Sequence, residues 1–138
     1  LRRRIFFYPG RRDTLKACGY VKDLGPSFSH MERTANPDIT FNFAYPTPPT
    51  IEEVCAAFCA AGEFPMPKVT IPSSMLMGAG RALKAVGLES FDPERIKKLM
   101  HSTNVRGDGL QAAGYEWDHS LESGIRYWHE SAPAGEFD

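Results

Sequence analysis

Three cations, Arg11, Arg12 and Lys16, fall within FFYPGRRDTLKACGYVKD (Phe6–Asp23), between an aromatic strand-like run ended by Pro9-Gly10 and a helix start at Gly19-Tyr20-Val21. Basic side chains on a loop held between rigid elements suit the grasp of a phosphate, through charge-assisted hydrogen bonds, better than the binding of a long polyanion. The simpler reading of such a run is a solvated loop. Arg2 to Arg4 read as a linker, because three charges alone give only weak, salt-sensitive nucleic-acid binding.

Other reactive residues are less well arranged. Cys55 and Cys59 lie one helical turn apart, but zinc takes four ligands, and the histidines are scattered at 30, 101, 119 and 129, so buried thiols on an apolar helix face are expected. His101 beside Ser102 and His119 beside Asp118 lack the nucleophile elbow and oxyanion loop of a hydrolase, and structural polar roles are expected there. A phosphate-cradling G-x-G-x-x-G turn is missing, since Gly78-Ala79-Gly80 sits inside a helix-like stretch. No tyrosine is followed four residues later by lysine, so hydride transfer cannot be placed on these residues. Trp117, Tyr127 and Trp128 are expected to pack the last helix against the body, with stacking on a nucleotide base as the alternative.

The cationic segment, with Lys16 followed by Tyr20-Val21-Lys22-Asp23, resembles the substrate-lobe signature of the extended short-chain dehydrogenase/reductase family, the NAD(P)-dependent epimerases and dehydratases. Lys16 falls where that family usually has an arginine on the substrate's diphosphate. The likeness extends to Phe41-Asn42-Phe43-Ala44-Tyr45 with its following Thr50-capped helix. It continues through Ser102-Thr103-Asn104, Leu110, Ala113-Gly114-Tyr115, Leu121, Gly124-Ile125 and Trp128, in the family's order over most of the chain. A second phosphate-binding arginine falls loosely on Arg95. Lys16 departs from the pattern, because an ammonium is a point charge where a guanidinium is a fork.

The surrounding elements read as follows. Ile5–Tyr8 and Ile39–Phe43 have strand character, and Lys68–Ile71 is a further short strand. Tyr20 to about Arg33 is helical, with Pro26 tolerated near the first turn. Asn36-Pro37-Asp38 breaks the chain, and Tyr45 to Pro49 is a stiff connector. Thr50 and Glu53 make a capping box for a helix whose Ile51, Val54, Cys55, Phe58 and Cys59 share a face, with Gly62 as its stop. Further helices start near Ser73 and at Asp92-Pro93-Glu94, cover Leu110–Ala113, and carry Leu121, Ile125 and Trp128.

With 138 residues, 42% hydrophobic and 24% charged, the chain fits one ordered domain. A net charge of −1 gives no basic field for nucleic acid, and no apolar run reaches the roughly 20 residues of a membrane span. An odd count of three cysteines is no disulfide framework. These features predict a cytoplasmic protein. A start at Leu1, running straight into basic residues, reads as a piece cut from a longer polypeptide.

The expected fold class is α+β: a small, mostly helical lobe with a few short strands over residues 1–131, and a disordered tail at 132–138. The resemblance implies the substrate-binding portion of an NAD(P)-dependent nucleotide-sugar epimerase or dehydratase. Lys16, Arg12, Arg11 and Arg95 would meet the substrate, and a separate N-terminal Rossmann domain would hold NAD(P) and the catalytic tyrosine. The parent enzyme would be a homodimer, and this piece alone inactive. The alternatives are a non-enzymatic protein-interaction domain, a family member acting on a non-sugar substrate and, more weakly, a nucleic-acid module.

Overall fold

The extended segment from Tyr8 to Cys18 is the spine on which the other elements hang. A computed structural model describes residues 7–34, 40–85, 97, 98 and 100–133, the backbone alone at 81–85. Strand β1 (Tyr8–Pro9) pairs in parallel with β2 (Thr70–Ile71), Tyr8 opposite Thr70. Further along, Leu15 bridges Thr50 in antiparallel sense and Lys16 bridges Thr103 in parallel. The spine's amides and carbonyls are satisfied by three distant stretches. Lys16 N–H donates to Pro49 O at 2.8 Å, Ala17 N–H to Thr103 O at 3.0 Å, and Tyr45 N–H to Cys18 O at 2.9 Å.

Helix α1 (Leu24–Glu32) follows a single 3-10 turn at Val21–Asp23. Pro26 lies in its first turn, where its missing N–H has no intrahelical acceptor to lose. Helix α2 (Ile51–Ala61) starts at the Thr50 and Glu53 capping box, each side chain accepting from the other's backbone, as the sequence predicts. Helix α3 (Ser73–Ala85) follows β2 directly, and Gly78-Ala79-Gly80 lies within it. The short α4 (Asp108–Ala112) leads to Gly114, whose φ of +79° is a conformation that favours glycine. Helix α5 (Leu121–Ser131) carries its own capping box, Ser120 with Ser123, and packs along α2.

The core has two parts. Met31, Leu110 and Tyr115 form one, against which Phe41, Phe43, Ala113 and Trp117 pack. Cys55, Ala57, Cys59 and Ile125 are buried on α2 and α5, and both α2 thiols are free. The fold is therefore helix-rich with a two-stranded parallel sheet, in keeping with a small α+β piece.

Two expectations change in detail. Proline does not end the first strand, because Pro9 is its second paired residue. Residues 40–43 alternate as a strand does, yet they join no ladder among the described residues. Their only backbone bond there is Ala44 N–H to Asn42 O, so the pattern is present without a neighbour to pair with. The expected helix start at Asp92 and the Asn36-Pro37-Asp38 break lie outside the described residues.

Candidate functional site

Arg12 is committed to the fold. Its guanidinium donates to Glu52 at 3.2 Å, to Thr70 Oγ1 at 3.0 Å and to the Lys68 carbonyl at 2.6 Å, and lies 4.9 Å from the Tyr8 ring centre. It thereby pins β2 and α2 to the spine. Arg11 is exposed and pairs with Asp13 two residues on, and the guanidinium in turn holds the Asp13 carboxyl below its usual range. Arg95 lies outside the described residues.

Lys16 stands where three chain segments meet. Its backbone bridges Thr103, its N–H is fixed by Pro49, and its ammonium donates to the His101 carbonyl at 3.0 Å. Partial burial lowers its pKa. Around it, Leu15 N–H donates to Ser102 Oγ at 3.1 Å and Ala17 N–H to Thr103 Oγ1 at 3.1 Å. The Ser-Thr pair of the resemblance thus lies flush against the cationic segment. Gly10 lies 3.8 Å from Ser73 by its would-be Cβ, and 3.4 Å from Met100, so the start of α3 flanks the same ledge.

This ledge is open surface. Two shallow grooves lie elsewhere among the described residues. One, of about 490 Å³, runs between α1 and the 114–118 loop past His30, Arg33 and Asp118. The other, of about 450 Å³, lies under the Pro46–Pro49 connector beside Gln111 and Leu121. None of Arg11, Arg12 and Lys16 lines either groove.

A second polar cluster was not visible as a pair in the sequence. Asp23 is 1% exposed, and its carboxylate accepts from His119 N–H at 3.2 Å and pairs with His119 Nδ1 at 2.6 Å. Its backbone carbonyl accepts from Tyr115 Oη at 3.0 Å. The His119 ring sits 4.8 Å from Tyr20 and 5.9 Å from Tyr127, and Lys22 lies 4.0 Å over the Tyr127 ring. Asp23 in the helix-start motif was the available signal, but its partner is 96 residues away. Among the described residues no group of three or more His, Cys, Asp or Glu side chains could hold a metal. Nor is any helix there long and apolar enough to cross a membrane.

No sequence-family model matches the chain, and no curated protein does. A solved structure does: the human epimerase family protein SDR39U1 (isoform 2), crystallised with NADPH, superposes with a TM-score of 0.68 at 17% identity. The match covers 94% of this chain and 40% of that one. At that identity the finding is one of fold: the chain is built like part of an epimerase family protein, and spans about two fifths of its length.

Trp117 packs with Phe43, Tyr45 and Tyr115. Trp128 meets Phe58 edge-on across α2 and α5. Trp128 thus packs the last helix as expected, whereas the ring partners of Trp117 lie outside that helix.

Proposed function

We propose that this chain is the substrate-holding portion of an NAD(P)-dependent epimerase- or dehydratase-type enzyme, with a nucleotide-sugar diphosphate as the ligand. Lys16 is the principal phosphate contact and Arg11 an outer one. Arg12 acts by fixing the loop. NAD(P) and the proton-transferring groups belong to a separate nucleotide-binding portion that closes the other side of the cleft. The supporting observation is the rigid ledge at Lys16, tied to Pro49, His101 and Thr103, in a fold shared with an NADPH-bound epimerase family protein. An ammonium fixed before the ligand arrives loses little freedom on binding, so the remote diphosphate can orient the reacting sugar.

Titration of isotope-labelled chain with UDP-glucose, GDP-mannose and inorganic diphosphate tests the reading. Amide shifts are expected at Lys16–Ala17 and at His101–Thr103, and Lys16→Glu should abolish them in a chain that still shows the dispersed amide spectrum of the fold. Calorimetry with NADPH should show no tight stoichiometric binding. A diphosphate response that survives Lys16→Glu, or tight NADPH binding by this chain, overturns the assignment.

A further inference from the structure

Residues 101–103 lie along the spine as a paired strand would, with one rung exchanged. Around the parallel bridge of Lys16 with Thr103, Thr103 N–H donates to Leu15 O at 2.9 Å and Ala17 N–H to Thr103 O at 3.0 Å. Slanted, evenly spaced bonds continue such a ladder, and its next rung would run from Leu15 N–H to the His101 carbonyl. Here the partners are swapped. Leu15 N–H goes to the hydroxyl of Ser102 at 3.1 Å, and the His101 carbonyl accepts from the Lys16 ammonium at 3.0 Å.

The swap leaves Leu15, His101 and Lys16 each with a partner. A serine hydroxyl accepts a hydrogen bond as a carbonyl does, and the released carbonyl receives a charged donor, whose bond is stronger than that of a neutral one. His101 suits this use. Its N–H donates back to Lys97 O at 3.2 Å, as at the end of a helix, where carbonyls are left over and carry partial negative charge. Thr103 steadies the register on the other side of Lys16, because its Oγ1 shares the Ala17 N–H at 3.1 Å.

Lysine carries its charge on a flexible four-carbon stem, whereas the fork of an arginine is planar and rigid. A lysine that holds a phosphate at a set position therefore gains from an anchor, and a carbonyl engages only one of the three ammonium donors.

We propose that Ser102 is a positioning residue for Lys16: by taking the Leu15 N–H it frees the His101 carbonyl to hold the ammonium in place for a phosphate oxygen of the ligand. The inference rests on the reading under Proposed function and adds the group that aims its principal contact. Without the hydroxyl the ordinary rung can close. Leu15 N–H then takes the His101 carbonyl, the stretch stays paired, and the ammonium loses its anchor.

Ser102→Ala and Ser102→Thr in the 138-residue chain test this, with inorganic diphosphate as the probe. In Ser102→Ala the Leu15 amide should stay protected from hydrogen exchange, while the Lys16 ammonium loses the slowly exchanging nitrogen-proton signal of a hydrogen-bonded amine. Diphosphate should bind it about tenfold more weakly, since a long side chain must now be ordered on binding. Ser102→Thr keeps a hydroxyl and should match the parent chain in all three measurements. Ser102→Cys, with a weak acceptor in a similar volume, should fall between them, and it serves where Ser102→Ala does not fold. Equal diphosphate affinity in the parent and in Ser102→Ala or Ser102→Cys overturns the positioning role and leaves the functional reading standing. So does a Lys16 ammonium in the parent that exchanges as fast as that of the exposed Lys68, because His101 would then not be holding it. A parent chain that does not bind diphosphate overturns the functional reading and the positioning role with it.

Discussion

Asp23 shows how one carboxylate can organise a corner of the fold. Buried charge is costly unless it is paired and hydrogen-bonded, and here both acceptor oxygens are used by His119 while Tyr115 is held by the carbonyl of the same residue. The 3-10 turn, the loop before α5 and the Tyr20–Tyr127 aromatic pair are thereby fixed against one another. Asp23→Ala should cost about 3 kcal/mol, because it strands a buried N–H and an imidazole together. Urea unfolding measures this, and a loss below about 1 kcal/mol would mean that water or Asp118 takes over the bonds. His119→Ala leaves Asp23 without its ring partner and should cost a similar amount, with the double variant well short of the sum.

Elements specified by neighbours in sequence could be read from the sequence; those specified by distant partners could not. Thr50 and Glu53 are three residues apart, and their reciprocal bonds need nothing but a helix start, so α2 was legible to the residue. Thr50→Ala should lower stability by about 1 kcal/mol, observed as a shifted urea midpoint at constant slope. The capping box of α5 uses Ser123 where a glutamate is usual, which hid it from the pattern. Residues 40–43 have the alternation of a strand but no ladder partner among the described residues, and alternation reports a half-buried face, not a ladder. Among the cations, position in a loop said nothing of how each is used. Arg12 is absorbed by Glu52 and Lys68, 40 and 56 residues away, and Lys16 meets a carbonyl 85 residues on. Gly107 gave no signal either. A Cβ there would overlap the carbonyl oxygen of Ala44, so Gly107→Ala should shift the 44–45 backbone and cost more than the cap.

On the scale of the whole molecule, the interior sets the response to alkaline pH. Burial pushes the Cys55 thiol up to about 11, with the nearby Cys59 adding to it, and the Tyr45 phenol up to about 12, with burial again the main cause and Asp23 second. Burial also raises Cys18, Cys59 and Tyr115. Each of these groups is neutral when protonated and binds its proton more tightly in the folded chain than in the unfolded one. Their contribution is complete below the unfolded pKa, near 9 for the thiols, and is lost as pH rises through the folded value. Lys16 works the other way: partial burial lowers its pKa, so its burial penalty fades as it loses its proton. The raised thiols and phenols, among them the Tyr8 phenol that burial also raises, outweigh the one lowered lysine. The urea midpoint should therefore hold level to about pH 9 and decline through pH 11, where Cys55 titrates, and Cys55→Ala should start lower but fall less steeply across that window. A midpoint indifferent to pH between 9 and 11 in the parent chain would mean that Cys55 is open to water. The α2–α5 pairing, which buries that thiol, would then be looser in solution than its packing requires.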